Sequence, residues 1–162
     1  MSGPRADLRF DRPRRAGPGG LPVALGLALL ALLPGRVSAQ RYDIRVYSVE
    51  QGMPQSQVRS LAQGSDGFIW AGTVGGGLAR FDGHAFTTYT AADGLGSQIV
   101  MAIAEDSASR LWLAHYEGGV TRRTGGSFET LRAGFPPGPG TDLAEDASGR
   151  MWFATRDGGL CT

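Results

Sequence analysis

The sequence predicts an all-β chain, a partial β-propeller of about three four-stranded blades whose ring is not closed, preceded by an N-terminal signal segment. Two observations carry the fold. A stretch recurs three times in register: AQGSDGFIWAGTVGGGL from Ala62, AEDSASRLWLAHYEGGV from Ala104 and AEDASGRMWFATRDGGL from Ala144. Its tryptophans, Trp70, Trp112 and Trp152, stand 42 and 40 residues apart, the period of one propeller blade of four antiparallel strands. A third observation separates off the N-terminus: five arginines, the apolar run LPVALGLALLALL over residues 21–33, then a small-residue pattern ending Val37-Ser38-Ala39.

That N-terminal pattern is the tripartite order of an export signal, so residues 1–39 are expected to be removed between Ala39 and Gln40. The apolar run of 13 residues is short of the roughly 20 needed to span a bilayer as a helix, although an uncleaved anchor stays open as the alternative. Without the signal the net charge becomes −3, from 10 arginines and 13 acidic residues. Lysine is absent and the arginines are scattered, which excludes a nucleic-acid footprint. Cys161 is the single cysteine, so an internal disulfide and a cysteine metal cluster are excluded as well.

The remaining elements follow the repeat. Residues 43–49 match the last, outer strand of a blade whose other strands are missing. The first whole blade spans residues 58–90, with strands expected at 58–62, 68–73, 77–81 and 86–90. Asp66-Gly67 and Asp82-Gly83 supply the positive φ that tight hairpin turns need. A second blade is expected over 100–131 and a truncated third over 141–162. The tryptophan of each copy is expected to be a plate between adjacent blades, each burying about 150–250 Å². Propellers close with about four to eight blades, whereas 123 residues follow the signal. The chain is therefore expected to begin a longer protein.

Candidate chemistry is sparse. Glu105-Asp106 and Glu145-Asp146 resemble catalytic carboxylate pairs, but they are one position in two blades and are read as turn-stabilising. The loops after the tryptophan strands, Thr73-Val74-Gly75, His115-Tyr116-Glu117 and Thr155-Arg156-Asp157, differ between copies while the frame does not. Variable loops on a constant frame are the form of a binding face, and also of ordinary solvated turns. Tyr116, His115, Glu117, Arg156 and Asp157 are thus the candidate ligand residues, for a small polar ligand such as a saccharide. No catalytic residue, cofactor or metal site is expected in this chain, and the two histidines have no ligand companions.

The string GMPQSQVRSLAQGSDGFIWAGTVGGGLARFDGHAFTTYTAADGL, from Gly52 to Leu95, resembles the two-component regulator propeller repeat. The resemblance is strong over residues 42–128 and continues more weakly to Leu160, with Ser107-Ala108-Ser109 and Ala147-Ser148-Gly149 in place of the Asp-Gly turn and Thr124-Gly125-Gly126 in place of Asp82-Gly83. It implies a periplasmic sensor region of an inner-membrane protein, joined through further blades and a membrane module to an output domain. That output is a histidine kinase, or a diguanylate cyclase or DNA-binding domain in some members, with homodimerisation through the parent protein. The rival readings are a secreted propeller enzyme similar to streptogramin lyase, with His115 and Glu117 as its local acid–base candidates, and a non-signalling extracellular scaffold.

Overall fold

The computed structural model describes residues 43–162, so the expected signal and its cleavage point at Ala39 and Gln40 lie outside the described residues. The first sheet is β1 (Val58–Gln63), β2 (Ile69–Thr73), β3 (Leu78–Phe81) and β4 (Phe86–Tyr89). The second is β5 (Val100–Glu105), β6 (Leu111–His115), β7 (Val120–Thr124) and β8 (Ser127–Leu131). The third is β9 (Gly140–Glu145), β10 (Met151–Thr155) and β11 (Gly159–Cys161). Each sheet is an antiparallel meander in chain order. The strand β5 packs against both β1 and β9, so the first strands of the blades line one side together. The architecture is an open, all-β array of three blades.

The hairpins repeat in register: Ala62 opposes Trp70, Ala104 opposes Trp112, and Ala144 opposes Trp152. An alanine facing each indole leaves its upper surface clear for the neighbouring blade. The first seam buries Trp70 with Leu78, Leu95, Val100, Leu111 and Leu113, residues drawn from two blades. The second buries Trp112 with Leu143, Met151 and Phe153. Trp70 is 1% exposed and Trp112 7%, while Trp152, against which no further blade packs among the described residues, is half-buried. Trp70 and Trp112 are plates between sheets, whereas Trp152 lies on the outer side of the last described blade.

Two expectations are corrected by the fold. Residues 43–48 form no strand; they lead into a 3-10 turn at Val49–Gln51, capped by Ser48 and closed by Gly52 at φ 94°. Of this segment the Tyr47 ring is seated, 4.8 Å from Phe81 and 5.9 Å from Phe86. The capped turn recurs at Ala91–Asp93 with Thr90 and Gly94 in the same roles. At the other end the third strand of blade three does form over Gly159–Cys161, paired to β10 through Ala154 and Leu160.

The second correction concerns the paired carboxylates. Asp106 does hold its own turn: Oδ1 accepts from the Ala108 and Arg110 amides at 3.0 and 2.9 Å, and Oδ2 from the Trp112 indole at 2.7 Å. Asp146 does the same for Trp152, at 2.8 Å. The glutamates beside them reach across the seam instead. Glu105 Oε2 accepts from the Ser65 amide at 2.9 Å, and Glu145 from the Ser107 amide and hydroxyl, both at 2.7 Å. Successive strand residues point to opposite faces, so one member of each pair serves its blade and the other joins it to the previous one. The Ser107–Ser109 turn survives without glycine because Ser109 takes φ 57°, at a cost of about 1–2 kcal/mol.

Candidate functional site

The three hairpin loops that follow β2, β6 and β10 share one backbone device. The amide of Val74 donates to Gln57 O at 3.0 Å, that of Tyr116 to Ile99 O at 3.1 Å, and that of Arg156 to Pro139 O at 2.9 Å. Each bond ties the loop to the chain entering its own blade. It fixes the loop backbone while leaving the side chain free to differ, which is why valine, tyrosine and arginine occupy equivalent places.

Tyr116 and Arg156 come together at a groove of about 310 Å³, with Val74 from the first blade. Its floor and walls are Ile99 and Met101 from the second blade and Gln57 and Arg59 from the first. The groove therefore takes side chains from all three blades on the side lined by β1 and β5. Tyr116 is 45% exposed, and both Arg59 and Arg156 are exposed. No salt bridge among the described residues engages either arginine. Two guanidiniums, a phenol and an amide over an apolar floor can hydrogen-bond and stack on a polar ligand, and the arginines favour one bearing oxygen acceptors.

Three of the expected site residues are placed elsewhere. His115 is completely buried; its Nε2 lies 2.6 Å from Thr121 Oγ1, which lies 2.9 Å from Thr130 Oγ1, and Thr130 donates to Gly94 O at 3.1 Å. With Gly96 N also donating to Thr121 Oγ1 at 3.0 Å, the hydroxyl chain is consistent when neutral His115 donates through Nε2, which leaves its Nδ1 buried without a hydrogen-bond partner among the described residues. Burial away from water pulls its pKa down to about 4. The same position is Thr73 or Thr155 in the other blades, each donating to a glycine carbonyl across its hairpin, at 2.8 and 3.2 Å. His115 is thus a hairpin clamp and not a groove residue. Glu117 and Asp157 are exposed at the loop tips but do not line the groove, and a Cβ on Gly138 would meet Asp157 Oδ2 at 2.8 Å.

Sequence reasoning missed Arg59 and Gln57. Both sit in the joint and first strand of blade one at positions that do not repeat: the places of Arg59 are taken by Met101 and Thr141 in the other blades. A charged residue in an inner strand between Val58 and Leu61 was the available signal.

The two component regulator propeller family model matches residues 52–75. The chain carries a two-component regulator propeller repeat. Among solved structures it is similar to the extracellular domain of BT4673 from B. thetaiotaomicron, described as a one component system, at 24% identity and TM-score 0.59. That match covers 74% of this chain and 18% of the other. A second structure of that domain, described as a hybrid two component system, matches at 23% identity and TM-score 0.58, over 74% and 18% of the two chains. Virginiamycin B lyase from Staphylococcus aureus matches at 17% identity and TM-score 0.51, over 65% of this chain and 40% of the lyase. These likenesses show a shared propeller fold, of which the chain spans well under half the length of each structure. No curated protein matches the chain.

Proposed function

We propose that the chain is the N-terminal part of an exported, periplasmic sensing propeller of a two-component signalling protein, and that the groove between Arg59, Tyr116 and Arg156 receives its ligand. The observation that carries this reading is the threefold backbone frame that places unlike side chains on one face, together with two arginines that no acidic side chain among the described residues engages. The repeat at residues 52–75 and the likeness to extracellular domains of signalling proteins support it. The output domain, a histidine kinase or a diguanylate cyclase, belongs to the longer protein. Signalling is conformational: a ligand shifts the population of blade arrangements by its differential affinity for them, and by nothing else.

A lyase reading has fold likeness in its favour, but His115 and Glu117 form no acid–base pair, since one is sealed inside β6 and β7 and the other faces solvent.

Calorimetric titration with neutral and acidic mono- and oligosaccharides tests the sensing reading. Binding by one class, weakened roughly tenfold or more in Arg156→Ala and Tyr116→Ala with unchanged circular dichroism, supports it. No binding by any class, or binding indifferent to both substitutions, removes the groove from the proposal.

A further inference from the structure

The groove beside β1 and β5 is built from one three-residue unit per blade. Two members of each unit are tied together: the amides of Val74, Tyr116 and Arg156 donate to the carbonyls of Gln57, Ile99 and Pro139. The third member comes from a β-bulge that recurs in the first strand of every blade. Val58 opposes Thr73 and Ser60 opposes Gly72, so β1 carries one residue more than β2 across that step, and the extra residue is Arg59. Met101 is the extra residue between Val100 and Ala102, and Thr141 the one between Gly140 and Asp142. In all three blades the bulge residue stands two positions after the carbonyl residue and fifteen before the loop residue.

The bulge releases this residue from the seams. Strand residues alternate between faces, so Val100 and Ile103 should face opposite ways. The extra residue resets the alternation, and both pack with Trp70 in the first seam, while Ala102 and Ala104 pack in the second. Met101 belongs to neither cluster and lines the groove instead. A bulge re-aims a side chain in this manner beside binding sites. All seven residues that line the groove are members of the three units. The two further members, Pro139 and Thr141, belong to blade three, and Thr141 is exposed.

The chemistry of the units changes from blade to blade. Blade two lies between the others, since β5 packs against both β1 and β9. Its unit is apolar and aromatic, Ile99, Met101 and Tyr116, whereas the units on either side each carry one guanidinium, Arg59 and Arg156. None of the nine positions is acidic. Two cations flanking an apolar centre match a ligand with an anionic group at each end and a less polar middle. We infer that the groove takes an elongate dianion laid across the three blades. One anionic group meets Arg59, the other meets Arg156 with the Thr141 hydroxyl as a second donor, and the middle rests on Met101 and Tyr116. The inference rests on the reading of this groove as the ligand site, and adds to it the class of ligand and Thr141 as a specificity-determining residue. A linear dicarboxylate and a disaccharide of two uronic acids share this chemistry.

Calorimetric titration of the full chain distinguishes these sources, with the linear dicarboxylates from succinate to sebacate in one arm and digalacturonate in the other. The monocarboxylates of equal length and the neutral digalactoside are the references. A dianion of one arm is expected to bind roughly tenfold or more tighter than its reference. Arg59→Gln and Arg156→Gln should each remove that advantage with unchanged circular dichroism. Thr141→Val should weaken the dianion roughly two- to tenfold, whereas Thr87→Val, the same change on the outer strand β4, should not. A reference compound that binds as tightly as the dianion and responds to Tyr116→Ala overturns this inference and leaves the groove standing as a ligand site. Dianion binding indifferent to Arg59→Gln or to Thr141→Val overturns it as well, and an absence of binding by every probe overturns it together with the groove.

Discussion

The two closed seams hold the same indole plate by different means. Trp112 is gripped by polar chemistry: its N–H donates to Asp106, which also takes Arg110 Nε at 2.6 Å, and the arginines of its own blade flank the ring. In blade one the position of Asp106 is Gly64, where a Cβ would come within 3.1 Å of Trp70 Nε1, 3.0 Å of Glu105 Oε2 and 2.5 Å of Asp66 Oδ1. Trp70 is held instead by apolar packing, with Arg80 of its own blade 5.9 Å from the ring and Arg123, contributed across the seam from blade two, at 5.0 Å. A repeat can thus keep its plate while exchanging the support under it, provided the space the support would fill is closed from the next blade.

The largest effects should come from removing the plates. Trp70→Ala and Trp112→Ala are each expected to destabilise by about 3–5 kcal/mol in urea unfolding. Phenylalanine sharpens the contrast, because Trp112→Phe leaves Asp106 short of a donor in a buried site and Trp70→Phe removes area only. The former should therefore cost about 1–3 kcal/mol more, and equal costs would break the distinction.

His115 gives the next effect. Unfolded histidine takes a proton near 6.5, whereas His115 in the fold stays neutral down to about 4. Between those values the unfolded chain binds the extra proton, so stability falls as pH is lowered, by about 1.4 kcal/mol per pH unit. His115→Gln should flatten that slope in denaturation curves taken across the range, and an unchanged slope would place the titration elsewhere.

Asp106→Asn is expected to cost about 1.5–3 kcal/mol through its charged hydrogen bonds. Burial opposes ionisation of Asp106, but the Trp112 indole, the Arg110 amide and the Arg110 guanidinium outweigh it and hold the pKa below the ordinary carboxylate value. Its contribution is present above that ordinary value and is lost as pH falls through the lowered one, a dependence the asparagine variant should lack. Glu145→Gln sits at the small end. An exposed seam contact of this kind is worth about 0–1 kcal/mol, so a loss beyond that would mean the crossing bonds, and not the indoles, join the blades.

Most of the fold was legible because the repeat states it three times. The Trp spacing, the facing alanines and the glycine turns placed the strands of blade one within about one residue of where they lie. The errors share one cause: pattern does not report a partner. Residues 44–48 have strand character, yet no strand forms there. His115 is the last residue of β6 and precedes two exposed residues, yet the pairing of β6 with β7 puts Thr121 against its ring and takes it out of water. Tyr116 and Arg156 could be picked from the loops because the frame around them repeats. Arg59 could not, because its role arises only where blade one meets blade two.

The central claim is that aromatic contact across the seams joins successive blades. The Trp112 and Phe153 rings meet edge to face at 5.7 Å from opposite sides of the second seam, and a double-mutant cycle with Trp112→Leu and Phe153→Leu measures that contact directly. A coupling of about 0.5–1.5 kcal/mol is expected. Strictly additive losses would contradict the claim and leave the blades merely adjacent.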